Sequence, residues 1–387
     1  MLALQPEHVD ALNNLGNALQ ALNRHEPAIA RYEQALAIRP DHAEALNNLG
    51  NALQALNRHE EAIPLHARAR RLQPENAWAQ LNEGLAHLVS GDFERGLPLY
   101  EARLRAEQKP RSFAAPRWHG EEEIAGKTIL IHAEQGLGDT LHFARYLPLL
   151  AARGARIVLE AQRPLVPLLR GMRSITEIVA QGEALPDFDC HAPLLSLPLA
   201  FGTRLDTIPA EVPYLAAPPE RIERWRALVE AAPRPRVGVV WAGNPSNTFD
   251  RRRSMPLERL VPLLETPGIG FFALQKELRP GDAQRLARLP NVVALSEQLE
   301  DFADTAAVVA QLDLVITVCT SMAHLAGGMG RPMWVMPPFS ADFRWFRQRT
   351  DSPWYPTARL FRQNSFGDWD STVASATRAL GDFSPGG

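Results

Sequence analysis

Apolar positions follow two different periods along the chain. From about Ala11 to Leu22, leucine and alanine recur at the three-and-four spacing of one helix face. An Asn-Arg-His turn follows, and a second helix is predicted to run to about Ile38, before Pro40 stops it. The stretch Asn13–Glu26 then returns unchanged as Asn47–Glu60, an offset of 34 residues. A third, diverged copy keeps the phase: Gly16 aligns with Gly50 and Gly84, Ala18 with Ala52 and Ala86, and Pro6 with Pro40 and Pro74. After Lys109-Pro110 the pattern changes to short apolar runs alternating with amphipathic stretches, which predicts parallel sheets covered by helices. Strands are expected at Thr128–Ala133, Arg156–Glu160 and Ile175–Ala180, with helices near Thr140–Ala152 and Pro164–Gly171. The proline-rich passage Pro209–Pro219, a helix, and Pro233-Arg234-Pro235 read as the connection to a second lobe. That lobe restarts the pattern, with strands expected at Val237–Trp241, Phe271–Gln275, Val292–Leu295, Leu314–Val318, Met333–Met336 and Arg359–Phe361 and a closing helix from Trp369 to Leu380.

The 34-residue unit resembles the tetratricopeptide repeat. One helix pair cannot bury its own apolar face, so copies must stack, and the surface they form together is the usual place for a peptide or a protein partner. Leu2–Pro6 matches Leu36–Pro40, the tail of a unit, so the chain is expected to start inside a repeat. Asn13, Asn14, Asn17, Asn47, Asn48 and Asn51 have two readings: hydrogen bonding to a bound peptide backbone, or helix surface and helix packing.

Composition narrows the function. A chain of 387 residues, 45% hydrophobic and 22% charged, is long enough for two or three domains with cores. Its 41 basic against 44 acidic residues leave no chain-wide positive field, which argues against nucleic acid as the main partner. Cys190 and Cys319 form neither a CxxC pair nor a disulfide framework, and no apolar run approaches the roughly 20 residues of a membrane span. A cytoplasmic location is expected.

Three loops at expected strand ends carry the candidate chemistry. In Ala133–Thr140, Gly136 and Gly138 allow a tight turn and close approach, and Asp139 lies at a helix start. Asp139 is then either a helix cap or a carboxylate that faces a ligand. Trp241–Pro245 leads to Asp250-Arg251-Arg252-Arg253, where guanidinium groups in fork geometry suit a diphosphate and an exposed charged loop is the competing account. The third loop, Thr317–Gly328, joins a strand to a helix whose first-turn amides, with Thr320 and Ser321, would form an anion site. His324 lies one turn further, as a ligand to that anion or as a packed side chain. No cluster of metal ligands stands out, and no cofactor is expected.

Together these loops resemble the inverting heptosyltransferase-type glycosyltransferases with two Rossmann lobes, the GT-B fold, from about Gly120 to Leu380. The resemblance rests on Gly138-Asp139, on Val239–Pro245 and on Thr320–Gly327. Asp351-Ser352-Pro353-Trp354-Tyr355-Pro356 and Gly367-Asp368-Trp369 resemble the bacterial branch in which this domain follows tetratricopeptide repeats. The order of repeats then domain is similar also to the O-linked N-acetylglucosamine transferases.

The fold class implied is a helical repeat region followed by two Rossmann-like lobes, divided as residues 1–107, 108–232 and 233–387. The function implied is inverting transfer from a nucleotide-diphosphate sugar to an acceptor hydroxyl on a glycan or a protein. Asp139 would be the general base. Arg253, with Arg251, would stand beside the donor phosphates, and Gly138, Asn244, Thr320, Ser321 and His324 would line the donor site. Gln275 and Lys276 would contact the nucleotide. One departure is Cys319, where the family usually has aspartate. The alternative from another class is a non-catalytic repeat scaffold with a degenerate sugar-nucleotide-binding domain. Sugar-nucleotide epimerases, which also use two such lobes, are a third choice.

Overall fold

A computed structural model describes residues 7–106, 111–247 and 250–384. The Leu2–Pro6 match and the Lys109-Pro110 boundary lie outside the described residues. The chain forms two compact units: one takes residues 1–112, 202–207 and 339–348, and the other takes 113–201, 208–338 and 349–387.

The first unit holds helices α1 (Val9–Ala21), α2 (His25–Ile38), α3 (Ala43–Ala55), α4 (His59–Leu72), α5 (Ala77–Val89) and α6 (Phe93–Tyr100). The 34-residue period recurs in every local device. His8, His42 and Asn76 cap α1, α3 and α5, each accepting a hydrogen bond from a first-turn amide. Asn23, Asn57 and Gly91 make the turns with φ of 57°, 62° and 86°, a conformation that asparagine and glycine adopt at little cost. Gly16 and Gly50 let paired helices touch: a Cβ would lie 2.4 Å from the Tyr32 ring at the first and 2.5 Å from the His66 ring at the second. Asn13 is buried, donates to Glu44 at 2.9 Å and accepts from Asn48 at 3.0 Å, and Asn82 donates to Asn47 at 3.1 Å. These asparagines therefore stitch one repeat to the next, whereas Asn14 and Asn17 stay exposed.

Residues 339–348 belong to the same unit, which periodicity gives no reason to expect. Asn57 donates to the Phe339 carbonyl at 2.7 Å, Ser340 donates to the Gln54 carbonyl at 2.8 Å, and Arg347 ion-pairs with Glu60. Phe343 meets Tyr100 edge-on with ring centres 5.7 Å apart, and Phe346 lies 6.2 Å from Phe93.

The second unit contains two wholly parallel sheets. Strands β1 (Thr128–His132), β2 (Arg156–Ala161), β3 (Glu177–Ala180) and β4 (Cys190–Pro193) run in the order β3-β2-β1-β4. Strands β5 (Arg236–Val240), β6 (Gly270–Ala273), β7 (Val292–Ala294), β8 (Leu314–Val318), β9 (Met333–Met336) and β10 (Ala358–Leu360) run in the order β10-β9-β8-β5-β6-β7. The apolar runs of the inner strands β1, β2, β5, β6, β8 and β9 are buried because helices cover parallel sheets, whereas the edge strand β7 is only partly covered. One cluster of buried side chains joins β5, β6 and β8 to the helices Leu257–Leu264 and Trp369–Gly381.

Besides shifts of one or two residues at strand ends, the observed elements depart from the expected ones at three places. Strand β4 is not among the expected strands, since Cys190-His191-Ala192-Pro193 is short, ends in proline and has no β-branched side chain. The helix expected over Thr140–Ala152 is divided into Leu137–Phe143, a tight turn at Ala144–Tyr146, and Leu147–Ala152. Pro148 accounts for this, because it has no amide to donate backwards and its ring crowds the preceding turn. Pro164 and Pro167 likewise reduce the helix expected at Pro164–Gly171 to a tight turn at Arg163–Leu165 and one helical turn at Val166–Leu169.

Candidate functional site

Each sheet has one point where the chain reverses its direction of travel across the strands. β1 has β2 on one side and β4 on the other, and β5 lies between β6 and β8. Loops leaving the carboxyl ends of such strands splay apart and make room for a ligand. All three candidate loops leave from these points, after β1, β5 and β8.

The loop after β1 is braced from below. Gln162 donates to the Gln135 carbonyl at 2.8 Å and accepts from Thr140 Oγ1 at 2.9 Å, while Gln181 donates to the Ala133 carbonyl at 2.9 Å. Gly136 caps the helix Leu137–Phe143, and Asp139 is its third residue. The Asp139 Oδ2 atom accepts from the Gly136 amide at 3.0 Å. The carboxylate thus closes the first turn from within, not from the cap position itself, and the side chain is half-buried.

Behind the loop after β5 lies buried Gln275, whose Oε1 accepts from the Trp241 amide at 3.3 Å and the Ala242 amide at 3.0 Å. Its carbonyl oxygen holds the loop, and the neighbouring Lys276 donates to the carbonyls of Ser296 and Leu299. Asn244 is exposed, with its side-chain oxygen accepting from the Ser246 amide and hydroxyl. Buried Asp250 draws the basic residues in: it accepts from Ser254 Oγ at 2.7 Å, ion-pairs with Arg279, and lies 3.7 Å from Arg253. Both guanidinium groups meet that carboxylate near Gly243, where a Cβ would come 2.6 Å from Asp250 Oδ1 and 2.9 Å from Arg253 Nη2. Arg251 is exposed and Arg253 half-buried.

The loop after β8 leads into the helix Ser321–Gly328. Thr320 caps that helix, its hydroxyl accepting from the Met322 amide at 3.3 Å and lying 3.2 Å from Thr317 Oγ1. Gly138 packs directly on this helix start: a Cβ on Gly138 would lie 3.0 Å from His324 Cδ2 and 3.2 Å from Ser321 Cα. Buried His324 turns its Nδ1 to the Tyr355 hydroxyl at 2.8 Å, and His142 Nδ1 meets the same hydroxyl at 2.7 Å. Burial pushes the Tyr355 phenol well above its ordinary range. The Arg145 guanidinium lies 4.4 Å from the Tyr355 ring centre and donates to the carbonyls of His142, Pro209 and Trp354.

Of the residues singled out in the sequence, Gly138, Ser321 and His324 come into contact, with Asp139 and Thr320 adjacent to them in the chain. Arg253 gathers at Asp250, while Gln275 and Lys276 serve the loops around them. Sequence reasoning misses His142, Arg145, Arg279 and Tyr355. Tyr355 lies inside the Asp351–Pro356 run, which points to a resemblance without pointing to a contact. Among the described residues no group of three or more His, Cys, Asp or Glu is placed to hold a metal ion, and no helix is long and apolar enough to cross a membrane.

Comparison with known proteins bears on each region. Family models described as TPR repeat and tetratricopeptide repeat match residues 16–57 and 42–73. The N-terminal region carries tetratricopeptide repeats. The chain is 29% identical over 294 residues to Protein FlbA of Caulobacter vibrioides, covering 69% of this chain and 48% of that protein. It thus spans about half the length of the curated relative it matches. Among solved structures, a glycosyl transferase family 9 protein from Veillonella parvula DSM 2008 aligns with 67% of this chain and 98% of its own, at 14% identity and a TM-score of 0.49. The Sgt2 TPR domain from Aspergillus fumigatus aligns with 27% of this chain and 69% of its own, at 32% identity and a TM-score of 0.25.

Proposed function

We propose that the second unit binds a nucleotide-diphosphate sugar and transfers the sugar, with inversion, to an acceptor hydroxyl on a glycan or protein that the repeats help to recruit. The observation that carries this reading is the contact of Gly138 with Ser321 and His324, which joins the switch-point loop of one sheet to the switch-point helix of the other. Asp139 follows Gly138 in the chain, so the candidate base belongs to the loop that meets this helix start, which is worth roughly half a positive charge.

In this reading the Ser321 amide and His324 receive the diphosphate, and Arg253 and Arg279 supply positive charge to the nucleotide side. The Thr320 hydroxyl is used in capping, so its part passes to the amides behind it. Asp139 takes the proton of the acceptor hydroxyl as that oxygen attacks the anomeric carbon. The bond from that carbon to the diphosphate oxygen breaks on the opposite face, and the electron pair leaves with the nucleoside diphosphate. Donors already aimed at the leaving oxygen stabilise this developing charge without reorganising. Cys319, beside the cap, would act on loop geometry and take no covalent part.

The experiment has two stages. Nucleotide sugars are screened for thermal stabilisation, and the one that binds is followed for turnover in the wild type and in Asp139→Asn. Binding should persist in the variant while turnover falls by about 10²- to 10⁴-fold. Equal turnover in both proteins, or no nucleotide sugar bound by the wild type, refutes the proposal.

A further inference from the structure

We infer that Tyr355 is a positioning residue: its hydroxyl holds His324 as a hydrogen-bond donor through Nε2, directed to the ground between Ser321 and Gly138. The inference rests on the reading of Ser321–His324 as the place of the donor diphosphate and deepens it.

The phenol lies 2.7 Å from His142 Nδ1 and 2.8 Å from His324 Nδ1. A phenol has one proton to give, and a neutral imidazole has one N–H. A neutral ring that takes the phenol's proton at Nδ1 keeps its own on Nε2, whereas a neutral ring that donates to the phenol from Nδ1 leaves Nε2 bare. Orientation assigns which is which. Across the ring from Nδ1, the Cδ2 edge of His324 faces Gly138, and Nε2 adjoins Cδ2 on that edge. An Nε2 proton there meets an anion favourably, whereas a lone pair would repel it. The chain then runs from His142 Nδ1–H to the Tyr355 oxygen, from the Tyr355 hydroxyl to His324 Nδ1, and out through His324 Nε2–H. Bonds aligned head to tail polarise one another in the same sense.

Tyr355 is well held for this task. It is wholly buried, and its ring packs on the helix at Gly327, where a Cβ would come within 2.4 Å. Arg145, over the ring, donates to Tyr214, which in turn donates to the Leu141 carbonyl at 3.0 Å.

Two measurements test the inference on the full chain. The first is the tautomer of His324 by long-range proton–nitrogen NMR of ¹⁵N-histidine-labelled protein, with His324→Gln identifying the signal. An unprotonated Nδ1 and protonated Nε2 are expected, and the reverse overturns the inference. The second is a double-mutant cycle read by calorimetric titration with UDP, GDP, ADP, CDP and dTDP, using whichever binds. Tyr355→Phe should weaken binding about tenfold in the wild type and hardly at all in His324→Ala. Equal weakening in both backgrounds would mean a general structural role and overturn the inference. If no nucleoside diphosphate binds the wild type, the proposed function fails, while the tautomer still decides whether Tyr355 orients His324.

Discussion

His66 is one of the positions where the second repeat departs from the first, and its titration can be worked through from the structure. In the first repeat Tyr32 donates to Asn17 Oδ1 at 2.8 Å and lies 2.9 Å from Gln20 Oε1. His66 stands 34 residues later, its Nδ1 3.0 Å from Asn47 Oδ1 and its Nε2 3.1 Å from Gln54 Nε2. Burial, with the charge of His59 second, holds the His66 imidazole down to about 3 from the ordinary 6.5. His59 is held down to about 4, by burial and then by the Arg347 charge. Both folded values lie below the unfolded one, so between them the unfolded chain binds more protons. Stability is therefore full above pH 6.5 and falls as the pH drops through 6.5 toward the folded values. From pH 8 to pH 5 the loss is about 2 kcal/mol for each histidine. In His66→Tyr the phenol would find Asn51 and Gln54 where Tyr32 finds Asn17 and Gln20. The variant should keep its stability at pH 8 and lose roughly half as much as the wild type on going to pH 5. Urea unfolding at both pH values, with hydrogen exchange followed over residues 43–72, measures this. An unchanged pH 8 to pH 5 difference in the variant, or a wild type that gains stability in acid, would refute the reasoning.

Two further substitutions test how the candidate loops are held. Gly138→Ala puts a methyl group 3.0 Å from His324 Cδ2 and 3.2 Å from Ser321 Cα; urea unfolding should show a loss of about 1–3 kcal/mol, and a gain would mean that the contact yields and alanine's helix preference prevails. Gln275→Ala strips the acceptor from the Trp241 and Ala242 amides; it should cost about 1–3 kcal/mol in unfolding experiments, with Gln275→Glu closer to the wild type.

Features whose causes lie within one or two turns of the chain can be read from the residues alone. A helix pair repeating every 34 residues, with its turn, aligned glycines and terminating prolines, is written in local spacing, because each repeat contacts mainly its neighbours. The buried strands are legible for a similar reason, as apolar runs bounded by turn residues. Strand β4 is different: it exists because the edge of β1 offers a partner to Cys190–Pro193 and not because those residues favour a strand. Which polar groups meet is also a matter of assembly. His142 and Tyr355 are 213 residues apart, and no periodicity links them. Gln275 is legible as a strand-end polar residue, yet it takes the pairing of β5 with β6 to turn its amide toward the Trp241 loop. Spacing along a chain reports which face a residue occupies; which group lies opposite that face depends on how the sheets are ordered and closed, and that is settled by the packing of the whole unit.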